Sequence, residues 1–196
     1  PLLLAANEGI SGNSNRALAQ ARGEFVALLD HDDALSPSAL HAIVARINEA
    51  PDLDFLYTDK DSIDETGQHR QYALFKPEFS PEMLYSVNYL THLNVMRRSL
   101  VEAIGGWRPE TDGAQDWDLF YRLTERTSRI ARVPGLHYHW RIIATSTATG
   151  LGAKPYAARS SNPKGFFESP DVNGINEYLL AKAAPAQARL GEWQHW

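Results

Sequence analysis

Cysteine is absent from the 196 residues, which excludes disulfide bonds and thiolate metal ligands. No run approaches the ~20 apolar residues that span a bilayer as a helix. Positive charge is also scarce: the formal net charge is -5, and the scattered Lys and Arg residues argue against a nucleic-acid partner. A cysteine-free chain fits a reducing compartment, so we expect a cytoplasmic protein, with peripheral association at the inner face of the membrane through regions outside this sequence.

The sequence does contain an alternation of apolar strands and amphipathic helices. Residues 2–6, 25–29 and 53–58 form apolar runs, and the second run is typical of a strand buried on both faces. Residues 36–47 predict a helix, because apolar side chains follow Leu40 at spacings of three, four and seven residues. The alternation predicts an α/β fold with a mostly parallel sheet flanked by helices.

The rest of the chain is less regular. We expect short helices at residues 15–21, 81–87, 99–104 and 115–125, and strands at 72–75, 92–97, 130–133 and 136–141. The segment 144–170 is rich in small and turn-forming residues and is predicted to be a loop, with a last helix at 175–184. We therefore place one domain at residues 1–148, and a loop with a helical tail at 149–196. Because the chain starts directly in an apolar run, we expect an N-terminally truncated fold.

Three carboxylates follow the strand at 25–29, namely Asp30, Asp32 and Asp33. Ligands of open α/β sheets bind at the carboxyl ends of strands. Because like charges this close repel, a hard divalent cation would remove the conflict, and Mn2+ or Mg2+ can keep coordination positions for a diphosphate. Asp33 is equally suited to favour the N-terminus of the following helix, so its role stays open. Asp30 and Asp32 are the predicted metal ligands.

Asp116 is predicted to lie in the first turn of the helix at 115–125, after a Gly-containing loop. Free backbone amides there favour an ionised carboxylate, which can take the proton of an attacking hydroxyl. Helix-start acids that only offset the helix dipole are the alternative for Asp116 and Asp118. Trp117 is either a core aromatic or a stacking surface for an acceptor sugar. Asp118 could orient the acceptor or bond to its own helix surroundings.

Three further residues are candidates for donor or metal contacts. His139 could complete a metal site beside carboxylates, although a histidine on a strand is more often only hydrogen-bonded. Arg141 could clamp a phosphate oxygen with its planar guanidinium, or pair with a nearby acid. Lys60 stands in an Asp-Lys-Asp run at the end of the third predicted strand, where it could face the donor at the rim of a site or belong to a solvated loop.

Several ordered motifs resemble glycosyltransferase family 2 over roughly residues 1–148. The motifs are NEGISGNSN at 7–15, ARGEF at 21–25, LLDHDD at 28–33, FKP at 75–77, GGW at 105–107, GAQDWDL at 113–119 and YHWR at 138–141. They look most similar to bacterial members that build rhamnose-containing or O-antigen-type polysaccharides. The resemblance implies a GT-A fold, Mn2+ or Mg2+ held by Asp30, Asp32 and His139, and a catalytic base at Asp116. The sequence departs from the family by beginning after the base-binding strand and turn, and by carrying Gln115 where Glu is commoner.

Together, the residues and the resemblance predict an inverting transfer of a sugar from a nucleoside diphosphate donor to a hydroxyl of a glycan or lipid-linked acceptor. Lys60 and Arg141 would serve the donor, and Trp117 and Asp118 the acceptor. One alternative is a sugar nucleotidyltransferase, which would want a Gly-rich nucleotide loop bearing Arg or Lys, and none is visible. A catalytically incomplete sugar-binding, nucleotide-binding or scaffold module is the second alternative.

Overall fold

The computed structural model describes Leu4 and residues 6–143. The helices are α1 Gly9–Gln20, α2 Ala39–Glu49, α3 Pro81–Ser86, α4 Arg98–Ala103 and α5 Gln115–Thr124. The strands are β1 Phe25–Leu28, β2 Ala34–Leu35, β3 Phe55–Ile63, β4 Arg70–Leu74, β5 Asn94–Arg97 and β6 Ile130–Arg141. No helix in this part of the chain is long and apolar enough to cross a membrane. The expected loop at 144–170, the helix at 175–184, the tail at 149–196 and most of the strand at 2–6 lie outside the described residues.

The six strands form one mixed sheet in the order β1-β5-β3-β6-β2, and β4 pairs with the far half of β3. Only the β3–β6 pair among these strands is parallel. The strands β1, β3 and β6 nevertheless share one direction, because β5 runs antiparallel to both β1 and β3 and lies between them. The α/β fold is confirmed, whereas the expected predominance of parallel pairs is replaced by a mixed sheet.

Helices cover both faces of this sheet. Neighbouring residues of a strand point to opposite faces, so Tyr57 and Leu56 of β3 belong to different apolar clusters. Tyr57 packs in a cluster with residues of α3, α4 and α5, and Leu56 packs in a cluster with Ile43 of α2. The apolar stripe of α2 is only partly buried, because Leu40 and Val44 are exposed while Ile43 is buried. The result is a three-layer arrangement with the sheet in the middle.

Helix α1 begins at Gly9, six residues before the expected start, because it is capped by a distant residue. The Asp112 carboxylate accepts hydrogen bonds from the backbone N–H groups of Ile10 and Ser11, at 3.2 and 2.9 Å. These N–H groups have no partner within their own helix, so a carboxylate at this end is favourable. This contact ties α1 to the turn that precedes α5.

Candidate active site

A cavity of 1250 Å³ lies at the carboxyl end of β1. Its wall contains five of the residues singled out from the sequence, namely Asp30, Asp32, Lys60, Asp116 and Trp117. His139, Arg141 and Asp118 are not among the residues that line it. The structure therefore brings the acidic loop and the start of α5 to one space, although Asp32 and Asp116 are 84 positions apart in the sequence.

The loop that carries the acids is braced from behind by β6. The Tyr138 hydroxyl donates to Asp33 Oδ2 at 2.5 Å, and the backbone N–H of Arg141 donates to Asp33 Oδ1 at 2.7 Å. The Arg141 guanidinium donates from Nε to the carbonyl of Asp32 at 2.6 Å, and from Nη1 to the carbonyl of Glu65 at 2.9 Å. Asp33 and Arg141 thus fix the backbone of the loop, while the side chains of Asp30 and Asp32 face the cavity.

Asp30 sits among other titratable groups. Its Oδ2 lies 3.6 Å from Nε2 of His92, which lies two residues before β5. The His92 ring stacks on that of Tyr138, with the ring centroids 4.8 Å apart. Partial burial, followed by the neighbouring Asp32 carboxylate, raises the pKa of Asp30. Burial lowers the pKa of His92 to about 4. The imidazole is therefore neutral at pH 7, and the acids lack a fixed cation at close range on this side.

Lys60 provides positive charge across the cavity. Its ammonium lies 5.1 Å from the centroid of the Trp140 ring, a cation–π contact that holds the side chain toward the open space. Burial lowers the pKa of Lys60, and the charges of Asp33, Asp116 and Asp30 act in the opposite direction. An anionic group that entered here would meet a partly desolvated lysine, where electrostatic attraction is stronger than in water.

Residues Asp59, Lys60 and Asp61, for which a solvated loop was one interpretation, lie within β3, because this strand continues to Ile63. Alternation along the strand turns both acids away from Lys60. Asp59 accepts hydrogen bonds from Arg132 Nε at 3.0 Å and Nη2 at 2.6 Å, and Asp61 accepts from Arg70 Nε at 2.6 Å. Only Lys60 of the three reaches the cavity.

Asp116 lies in the first turn of α5 and is oriented by two donors. Asn88 Nδ2 donates to Asp116 Oδ2 at 3.0 Å, and the backbone N–H of Trp117 donates to Oδ1 at 2.9 Å. The carboxylate is only partly buried and lines the cavity, so a lone pair on each oxygen stays available. Trp117 is packed and also borders the cavity: its Nε1 donates to the carbonyl of Leu84 at 2.8 Å, its ring stacks on Tyr121, and it forms part of the wall.

Asp118 is buried on the other side of α5, with 2% of its side chain exposed. Arg108 donates to both of its oxygens, and Arg122 donates to Oδ2 from Nε at 2.9 Å and Nη2 at 2.6 Å. These contacts match the second role considered for Asp118, bonding to the surroundings of its helix. The geometry gives it no contact with the cavity.

His139 also faces away from the cavity. Trp140 lines the space, so its neighbour on β6 points to the opposite face of the sheet, where Nδ1 of His139 lies 2.5 Å from Oδ1 of Asp61. Within residues 6–143 no group of three or more His, Asp or Glu side chains is arranged to hold a metal ion. Asp30 and Asp32 still fit a hard cation, because such ions take one or two carboxylates together with waters and substrate phosphates.

Two cavity residues, His92 and Asn88, were not singled out from the sequence. His92 is placed by sheet register: Leu28 of β1 pairs with Asn94 of β5, and extending that antiparallel register by two residues brings His92 opposite Asp30. Asn88 reaches Asp116 from the connection between α3 and β5. A search for polar residues just before the strand that pairs with β1 would have suggested His92. The sequence around Asn88 contains no comparable pattern.

Comparison with known proteins agrees with this architecture. The family model "Glycosyl transferase family 2" matches residues 2–105. The chain is 41% identical, over 153 residues, to the O-antigen biosynthesis protein RfbC of Myxococcus xanthus. The aligned region covers 77% of this chain and 12% of that protein. The chain spans 17% or less of the length of two curated relatives that it matches at more than 40% identity.

Solved structures show the same fold at low identity. TarS 1-349 of S. aureus in complex with UDP-GlcNAc has a TM-score of 0.57 and 21% identity, over 71% of this chain and 41% of that one. The mannosyltransferase PcManGT of Pyrobaculum calidifontis, in complex with GDP-Man and Mn2+, has a TM-score of 0.51 and 16% identity, over 97% of this chain and 60% of that one. The motifs, the mixed sheet and these matches agree, and the chain belongs to glycosyltransferase family 2 with a GT-A-type fold.

Proposed function

We propose that the chain is the catalytic part of an inverting glycosyltransferase, which moves a sugar from a nucleoside diphosphate donor to an acceptor hydroxyl. The observation that carries the proposal is that one cavity of 1250 Å³ contains both Asp30 with Asp32 and, on another element, Asp116. This volume is large for a single small ligand, which suits a donor and an acceptor bound together. Membership of family 2 supports the reaction class.

The donor would bind on the side of the acidic loop. Asp30 and Asp32 would hold Mn2+ or Mg2+, and such an ion supplies neutralisation of the charge that develops on the leaving diphosphate. Partial burial, and then the neighbouring Asp32 carboxylate, raises the pKa of Asp30, and a bound cation would favour the ionised form of both acids. The complexes of TarS with UDP-GlcNAc and of PcManGT with GDP-Man and Mn2+ support a nucleotide-linked donor and a divalent cation.

Lys60 would contact the donor as well, because its ammonium faces the same space from β3. We place it against a phosphate oxygen, where a partly buried ammonium gives a charge-assisted hydrogen bond. Arg141 would act indirectly, because it donates a hydrogen bond to the Asp32 carbonyl and so fixes the backbone of the acidic loop. His139 would likewise act on the site only indirectly in this arrangement, through its contact with Asp61.

Asp116 would take the proton of the acceptor hydroxyl as the bond to the anomeric carbon forms. Its carboxylate is oriented by Asn88 and by the N–H of Trp117, and it lies on a different element from the acidic loop. Attack from that side and departure of the diphosphate on the other invert the anomeric centre in a single displacement. A general base of this kind contributes ~100- to 10,000-fold to the rate.

The acceptor would be a hydroxyl of a glycan or of a lipid-linked sugar. The exposed part of Trp117 in the cavity wall offers an apolar surface on which a sugar ring can stack. The name of the Myxococcus xanthus relative, an O-antigen biosynthesis protein, supports a polysaccharide product. We further propose that the protein acts in the cytoplasm, with peripheral association at the inner face of the membrane.

Isothermal titration with UDP, dTDP and GDP, each with and without Mn2+, tests the proposal. A competent donor site binds at least one of the three nucleotides with Mn2+ and loses this binding when EDTA is added. A sugar-binding or scaffold module with a decayed site binds none of the three nucleotides under either condition. A folded protein that gives that second result would refute the donor site.

A further inference from the structure

One segment of the chain touches both ends of the cavity. Residues 86–92 comprise the last residue of α3 and most of its connection to β5, and five of these seven residues line the space. At one end of the segment Asn88 donates to Asp116, and at the other end His92 lies 3.6 Å from Asp30. The segment therefore sets the position of groups on both the acceptor side and the donor side.

This segment is anchored from behind by buried polar contacts. Lys76, which has 3% exposure, donates from Nζ to the carbonyls of three consecutive residues, Leu90, Thr91 and His92. The Tyr89 hydroxyl accepts a hydrogen bond from the backbone N–H of Ser80 at 2.8 Å. Because these contacts fix the backbone that follows Asn88, its side chain has little freedom to follow the Asp116 carboxylate if that carboxylate moves.

The amide of Asn88 is held at a cost. Its Nδ2 bonds to Asp116, while its Oδ1 is buried and has no hydrogen-bond partner among the described residues. A buried acceptor without a partner costs about 1–3 kcal/mol, so the fold keeps an arrangement that does not favour stability.

We propose that Asn88 is the positioning residue of the catalytic base. Rotation of the Asp116 carboxylate would swap its oxygens between the cavity and the protein, and the hydrogen bond from Asn88 Nδ2 to Oδ2 opposes that rotation. The N–H of Trp117 holds Oδ1 in the same way. With both oxygens held, the lone pairs that point into the cavity keep one direction toward the acceptor hydroxyl. This inference rests on the proposed function, in which Asp116 is the base.

The decisive variant is Asn88→Leu, which has a similar shape and removes both the donor and the unpaired oxygen. We expect turnover to fall by ~10- to 100-fold, the order that a small misplacement of a catalytic group causes. The melting temperature should stay the same or rise, because the buried oxygen without a partner is gone. Turnover is followed as nucleoside diphosphate release from the best donor of a panel of UDP-, dTDP- and GDP-hexoses with Mn2+. The affinity for the free nucleotide should change by less than about threefold.

Asn94→Leu is the matched control. Asn94 is also an asparagine with a buried, unpartnered Oδ1, but it lies on β5 and does not line the cavity. Its turnover should therefore stay near that of the parent protein, measured below the melting temperature of each variant. A crystal structure of Asn88→Leu should show the Asp116 carboxylate turned from its original plane, which tests the inference without any activity.

A double-mutant cycle separates this inference from the proposed function. If Asn88 acts through Asp116, then Asn88→Leu should change turnover by less than about twofold in an Asp116→Asn background. Equal losses in both backgrounds, or full turnover in Asn88→Leu alone, would overturn the positioning role while Asp116 stays the base. Full turnover in Asp116→Asn alone would instead refute the base assignment itself.

Discussion

Replacing Asp118 by Asn distinguishes a structural acid from an acceptor-binding one on the same helix. Asp118 is 2% exposed and is contacted by the guanidinium groups of Arg108 and Arg122, whose side chains are 33% and 18% exposed. Removing one partner of a buried ion pair costs about 3–5 kcal/mol. Because both arginines keep some access to water, we expect the lower end, about 3 kcal/mol. For a chain of this length that lowers the melting temperature by roughly 6–12 °C.

The assay is thermal unfolding followed by circular dichroism, with Asp116→Asn as the matched control. Asp116 lies two residues away on α5 but faces the cavity, so the same change there should cost less than about 1 kcal/mol. Asp118→Asn should also keep its turnover at temperatures well below unfolding. A variant that melts with the parent protein and loses acceptor-dependent turnover would show that Asp118 binds the acceptor, and the structural reasoning would be wrong.

Three further predictions concern the residues around the cavity. Burial lowers the pKa of His92 to about 4, so between pH 6.5 and 4 the unfolded chain binds more protons than the folded protein and the free energy of unfolding decreases as the pH falls. In His92→Phe this decrease should be smaller, as measured by urea unfolding in EDTA over that pH range. His139→Ala should lower the free energy of unfolding by about 1–3 kcal/mol, because it removes a partner of the buried Asp61 carboxylate. Its Mn2+-dependent nucleotide affinity should stay within about threefold of that of the parent protein, and loss of that affinity in titrations would show that His139 belongs to the metal site. Lys60→Met should weaken nucleotide diphosphate binding by ~10- to 100-fold, since a hydrogen bond to a charged group contributes about 1.5–3 kcal/mol, and unchanged titration curves would exclude Lys60 from the donor site.

Local sequence patterns predicted the parts of the molecule that depend on local physics. The apolar run before Asp30 forms β1, and the helix expected at 115–125 is α5, with Asp116 in its first turn. Because the carboxyl end of a strand faces the ligand side of an α/β sheet, the acidic loop could be assigned to the cavity from sequence alone. The ordered motifs then predicted the family, which the family model and the relatives confirm.

Contacts between distant elements could not be predicted in the same way. The direction of His139 depends on which face of β6 meets the cavity, and the partner that holds it, Asp61, lies on a strand that is longer than its apolar run. The placement of His92 follows from the insertion of β5 between β1 and β3, a topology that apolar alternation does not specify. Asn88 lies in a connection without periodicity, so only the three-dimensional structure brings it to Asp116.

The central claim is that one cavity binds the nucleotide-sugar donor on the side of Asp32 and the acceptor on the side of Asp116. The most direct test measures nucleotide affinity and turnover together in Asp32→Ala and Asp116→Asn. The account predicts a crossed result: Asp32→Ala loses Mn2+-dependent nucleotide binding, while Asp116→Asn keeps that binding and loses turnover by ~100- to 10,000-fold. Retained Mn2+-dependent binding in Asp32→Ala, or collapsed binding with surviving turnover at saturation in Asp116→Asn, would contradict it.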